Sequence, residues 1–169
     1  MSLDEGKWKQ YDVQYRDAAL CTTQSNSMND SLACYEYLYK LKSKLPKELY
    51  AFYFRRLLQM NTGNVSNELR LKMFEGVASE DIMFQDELDA INNEFDDYIT
   101  IYRGTSKDED VPGICWTKDK WVAEDTFYKG RLFEAKIPKT SILLYFAHEE
   151  DEGEIIAHVT SGYRIIKED

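Results

Sequence analysis

The sequence predicts an α+β protein with its helices gathered in the first half and its strands in the second. Three observations predict this. Apolar residues recur at helical spacing as far as about Phe95. After Asp96-Asp97 the pattern turns to an alternation of period two. Short polar, proline and glycine runs punctuate the periodic segments. The expected division is a helical block at residues 1–95 and a β core at residues 96–169. The architecture this implies is an irregular helical bundle packed beside a small mixed sheet.

Five apolar stripes mark the helices. Trp8, Tyr11, Tyr15 and Ala18 form the first. Leu32, Tyr35, Leu38 and Lys42 form the second, where Lys42 can lay its aliphatic stem along the core edge. Leu49, Phe52, Arg56, Leu57 and Met60 follow, then Leu69, Met73 and Val77, then Phe84, Leu88, Ile91 and Phe95. The breaks carry their own chemistry. Thr22 to Asn29 is a polar loop, and Pro46 suits a first helical turn. Asn61-Thr62-Gly63-Asn64 stops one helix and Ser66 can cap the next. Ser79 is the expected cap of the fifth, with Glu80 and Asp81 near its positive end. The aromatic stripes read as core and the charges as solvated faces.

The second half reads as about six strands and one helix. Tyr98 to Arg103 is the first strand, ended by Gly104, and Gly113 to Thr117 is the second. Thr117 is the expected cap of a helix from Lys118 to Tyr128. Arg131 to Ile137, Ser141 to Ala147, Glu154 to Val159 and Tyr163 to Lys167 are the remaining strands, with an acidic loop from His148 to Gly153.

Bulk properties exclude several classes. The formal net charge is −10, the acid excess lies in both halves, and no basic stripe exists. This argues against nucleic-acid binding, which needs cations along a phosphate backbone. The three cysteines, Cys21, Cys34 and Cys115, include no CxxC pair, so neither a disulfide framework nor a zinc site is expected. No apolar run reaches the roughly 18 residues of a membrane span. The opening Met1-Ser2-Leu3-Asp4-Glu5 is too polar for a signal peptide, which leaves the cytoplasm as the expected location.

Two short pieces carry the chemistry. Tyr102-Arg103-Gly104 ends an apolar alternating run, and Glu152-Gly153-Glu154 opens another. Residues two apart on a strand share a face, so Glu152 and Glu154 can form a carboxylate pair. An arginine facing paired acids suits a substrate with a phosphate at one end and a developing positive charge at the other. Nicotinamide adenine dinucleotide (NAD) is such a molecule.

In order and strand context, these residues resemble the ADP-ribosyltransferase fold of the arginine–serine–glutamate type. That family has an arginine at the end of its first core strand, a Ser-Thr-Ser-like segment opening a second, and a Glu-x-Glu or Gln-x-Glu segment opening a later one. The matching pieces are Tyr102-Arg103-Gly104, Cys115-Trp116-Thr117 and Glu152-Gly153-Glu154, within residues 98–169. Cys115 stands where the family has its first serine, and only eleven residues separate it from Arg103. This is a shortened version of the kind that looks like small phage or mobile-element proteins.

The resemblance implies roles. Cleaving the nicotinamide–ribose bond passes through an oxocarbenium-like state, as in glycoside hydrolysis. Glu154 would stabilise that charge and hold the 2′-hydroxyl. Glu152 would orient or deprotonate the acceptor, its pKa raised by its neighbour. Arg103 would grip a ribose or phosphate oxygen. Gly104 would let the backbone approach the nicotinamide carboxamide. Trp116, Phe127 or Tyr145 would stack on the cationic ring, and Thr117 would support Glu154. The implied activity is a mono-ADP-ribosyltransferase, toxin-like or phage-borne, with NAD as donor and a protein arginine as favoured acceptor, or water. The other class the sequence admits is a non-catalytic interaction protein that kept the fold, such as a phage accessory or an acidic antitoxin-like binder working through its Tyr-rich helical block.

Overall fold

A computed structural model describes residues 28–59, 65–110, 112–147 and 153–169. The stripe from Trp8 to Ala18, the start of the polar loop at Thr22, the stop at residues 61–64 and Glu152 lie outside the described residues. Internal contacts divide the chain into two units, Met1–Phe84 and Gln85–Asp169. The division falls eleven residues before the expected boundary, and the helix carrying Leu88 and Ile91 belongs with the strands.

In the first unit the helices are α1 (Met28–Leu41), α2 (Lys47–Gln59), α3 (Asn67–Phe74) and the single turn α4 (Ser79–Ile82). α1 begins inside the segment expected to be loop. Their apolar stripes meet as the 3.6 period requires. Tyr35, Leu38, Leu49, Tyr53, Phe54, Leu57, Met73 and Ile82 are buried almost completely. Phe54 lies at the centre, edge-on to Tyr35 and packed against Phe74 with ring centroids 4.7 Å apart. Ser66 caps α3 as expected, accepting from Leu69 N–H at 3.2 Å. Lys42 does more than line the core. Its ammonium donates to the Lys72 and Met73 carbonyls at 3.0 and 3.2 Å, at the open C-terminal end of α3.

The helix expected from the Ser79 cap through the fifth stripe forms as two helices rather than one. α4 ends at Ile82, and α5 (Gln85–Asn93) starts after a break at Met83-Phe84. Ala78 holds the cap position of α4 with no side-chain hydrogen bond, so Ser79 is not the cap. In the second unit, Phe95 packs against Tyr145 with centroids 5.1 Å apart.

The strands of the second unit are β1 (Tyr98–Ser106), β2 (Cys115–Thr117), β3 (Gly130–Pro138), β4 (Ile142–Phe146), β5 (Glu154–Ala157) and β6 (Tyr163–Glu168). They form one sheet in the order β4-β5-β2-β1-β3-β6. Every strand pair in it is antiparallel, so the expected mixed sheet is corrected to an antiparallel one. β1 runs past Gly104 to Ser106 because its pairing with β3 continues through Ser106↔Gly130. The core of this unit is Ile101, Leu132, Phe133, Leu144, Phe146, Ile155 and Ala157, all buried. Between β2 and β3 the helix α6 (Lys120–Val122) widens into a π-type turn at Ala123–Phe127. Its cap is Asp119, which accepts from Trp121 N–H at 2.8 Å, not Thr117. Thr117 acts one step earlier, accepting from Asp119 N–H at 3.0 Å. The turn is therefore shared by two oxygens in series. No helix among the described residues is long and apolar enough to cross a membrane.

Candidate functional site

Tyr102, Thr117 and Glu154, one from each motif piece and spread over some fifty residues of chain, come onto three adjacent strands. Tyr102 on β1 pairs with Thr117 on β2, and Thr117 pairs with Glu154 on β5. Directly opposed residues of antiparallel strands share a face, so Tyr102, Thr117 and Glu154 form one cross-strand row. Phe146 on β4 extends it beyond Glu154, and Glu134 on β3 beyond Tyr102. Thr117 is buried and Glu154 is half-buried at the first position of its strand. Gly153, immediately before it, takes a left-handed φ of +53°. A side chain there would be strained and would press on the Lys118 stem. The glycine thus sets the angle at which Glu154 enters the sheet.

Arg103 follows Tyr102, so the pleat starts its side chain on the other face. β1 and β2 share only the Tyr102↔Thr117 pair. Beyond it the arginine reaches across, and Nη1 donates to the Cys115 carbonyl at 2.9 Å. A side-chain donor stands where a regular ladder would supply a backbone N–H. Nη2 donates to Glu109, at 2.9 Å to Oε1 and 3.2 Å to Oε2. The arginine thus makes contact with the second motif piece, and its ion-pair partner is an acid of the β1–β2 loop.

Glu109 was not singled out from the sequence. It sits in a polar loop without periodicity, where acids read as solvent-facing. One signal was present: an arginine at a strand end needs a counter-charge when half-buried, and this loop returns to the sheet within a few residues. The Thr105 hydroxyl and the Gly113 N–H, at 3.0 Å, also donate to the Glu109 carboxylate. Burial alone would raise its pKa. The hydrogen bond from Thr105, the charge of Arg103 and the bonds from Arg103 and Gly113 outweigh that and hold it below the usual carboxylate range.

Gly104 and Gly113 make room for the protein itself. A Cβ on Gly113 would lie 2.8 Å from Arg103 Nη2 and 2.9 Å from Cζ. A Cβ on Gly104 would lie 2.2 Å from the Ala123 carbonyl oxygen, 2.6 Å from Tyr128 N and 2.7 Å from Phe127 C. The space beside Gly104 is filled by the backbone of the turn after α6. Of the aromatic candidates, Trp116 and Tyr145 are buried core residues, whereas Phe127 is 37 % exposed. Cys115 is half-buried opposite Ile156. Among the described residues no cluster of three or more His, Cys, Asp or Glu is set to hold a metal ion. Comparison with protein-family models, with curated proteins and with solved structures finds no match for the chain.

Proposed function

We propose that the chain is a mono-ADP-ribosyltransferase-like enzyme that uses NAD as donor substrate. The observation that carries this reading is the row Tyr102–Thr117–Glu154, with Arg103 adjoining it and bonded to Cys115. An arginine, a hydroxyl residue and an acid from three separate motifs lie on neighbouring strands, the hydroxyl residue and the acid on one face and the arginine starting from the other, in the order the arginine–serine–glutamate family requires. In this reading Glu154 faces the ribose. As the C–N bond to nicotinamide breaks, the electron pair leaves with nicotinamide and positive charge grows on the ribose, where a carboxylate lowers the barrier electrostatically. A nitrogen of the acceptor arginine, or a water oxygen, then bonds to the same carbon. Glu152, two residues upstream, takes its proton. Arg103 holds a phosphate or ribose oxygen, and Thr117 supports Glu154 from the adjacent strand. The cell interior, where NAD is abundant, is the setting this activity needs.

A second reading is a non-catalytic interaction protein retaining the fold. The engagement of Arg103 by Glu109 favours it, because a guanidinium already paired is less available to a ligand. Nicotinamide release on incubation with NAD separates the two. The enzyme reading expects release by wild type that falls at least a hundredfold in Glu154→Ala. Equal background release by both proteins contradicts it and favours the binder.

A further inference from the structure

Glu109 is fixed from both ends. Its carboxylate accepts from Arg103, Thr105 and Gly113. Its backbone carbonyl accepts from Arg131 Nη1 at 2.9 Å. Arg131 is in turn held by Asp110 in the same loop and by Glu168 on β6. The loop is therefore tied to β1 by the Glu109 side chain and to Arg131 on β3 by the Glu109 carbonyl and the Asp110 carboxylate, with Glu168 on β6 holding the same Arg131. The Arg103 guanidinium is correspondingly pinned at two corners, Nη1 on the Cys115 carbonyl and Nη2 on Glu109. A planar fork held at two corners cannot rotate about its stem. The absent side chain of Gly113 allows the fork to lie flat against the start of β2.

We infer that Glu109 is the positioning residue for Arg103. It sets the orientation in which the guanidinium meets the anionic part of a dinucleotide, and it acts through Arg103 rather than on the reacting atoms. A guanidinium carries five N–H groups; the Arg103 Nε–H is buried, and the partly exposed Nη end, held by one carbonyl and one carboxylate, is what can still offer an N–H to a substrate oxygen. Ordering the fork before binding removes a cost that a free arginine side chain would incur on each encounter. This inference rests on the proposed function.

The test compares full-length wild type with Glu109→Gln, which keeps the shape and removes the charge. Two readouts are taken: the Arg103 Nε–H signal in side-chain NMR, assigned with Arg103→Lys, and the steady-state kinetics of NAD cleavage. The expected result is a broadened or shifted Arg103 signal and a roughly 10- to 100-fold loss of kcat/KM, carried mainly by KM. An unchanged Arg103 signal overturns the inference. So does a broadened signal with unchanged kinetics, which leaves the proposed function standing. Wild type that neither binds nor cleaves NAD overturns both. Should Glu109→Gln fail to fold, Thr105→Val removes one donor from the same carboxylate and should move both readouts several-fold in the same direction. No movement in either readout overturns the inference.

Discussion

Replacing Gly104 by alanine tests how β1 meets the turn that follows α6. The added Cβ would sit 2.2 Å from the Ala123 carbonyl oxygen, with Tyr128 N and Phe127 C at 2.6 and 2.7 Å. All three atoms are main chain, so no side chain can rotate away. Ordinary contact between carbon and these atoms needs well over 3 Å, so β1 and the turn must part by on the order of 1 Å. That movement strains the Lys129 N–H to Thr105 carbonyl bond, now 3.2 Å, which closes the turn onto the strand. Overpacking costs about 1–3 kcal/mol, and rigid backbone on three sides puts this site at the upper end. The loss of chain freedom in the unfolded state returns about 0.4–1 kcal/mol. The net destabilisation is about 2–3 kcal/mol. At roughly 4–8 °C per kcal/mol for a unit of this size, Tm should fall by roughly 10–20 °C. The assay is thermal unfolding followed by near-ultraviolet circular dichroism, which reports on buried Trp116. A control is Gly162→Ala, where φ is +76° and nothing lies within 4 Å. It should cost only the left-handed backbone penalty of about 1 kcal/mol. A Gly104→Ala melt within about 2 °C of wild type would refute the close-approach argument.

Further predictions rest on single interactions. Gly113→Ala pushes the Arg103 guanidinium, which can yield, so stability should drop by no more than about 1 kcal/mol while stabilisation by NAD in a thermal-shift assay disappears. Glu109 has a folded-state pKa below its unfolded value, so its contribution is full above the unfolded carboxylate pKa of about 4.3 and is lost as pH falls through the lower folded value. The Tm difference between wild type and Glu109→Gln should therefore be constant near neutrality and shrink on acidification below about pH 4; a difference that grows there contradicts the assignment. Ser66→Ala removes the α3 cap and should cost about 1 kcal/mol, read as a downward shift in helical circular-dichroism melting.

Periodicity carried most of the fold. The second, third and fourth stripes became α1, α2 and α3, and the alternating runs became the strands, because burial on one face is written directly into residue spacing. Boundaries were less legible. Thr117 and Asp119 are both good capping residues, and nothing local says which takes the first free N–H; the Trp121 N–H decides for Asp119. The fifth stripe begins at Phe84, so the expected start at Ser79 rested on capping chemistry alone and no spacing marked the break at Met83-Phe84. The candidate site was legible in its strand positions. The pairing of Thr117 with both Tyr102 and Glu154 was not, because register is set by contacts distant in sequence. Two features were hidden for a related reason. Glu109 gains its meaning from Arg103 and Arg131 across the fold, and Gly104 from a turn some twenty residues later.

In the proposed function, Arg103, Thr117 and Glu154 serve one donor-binding site. The most direct measurement is a titration of full-length protein with NAD, followed by backbone amide NMR. Saturable shifts should concentrate at residues 102–105, 113–117 and 153–156, on β1, β2, β5 and their adjoining loops. Shifts confined to other surfaces, or none at millimolar dinucleotide, would contradict it.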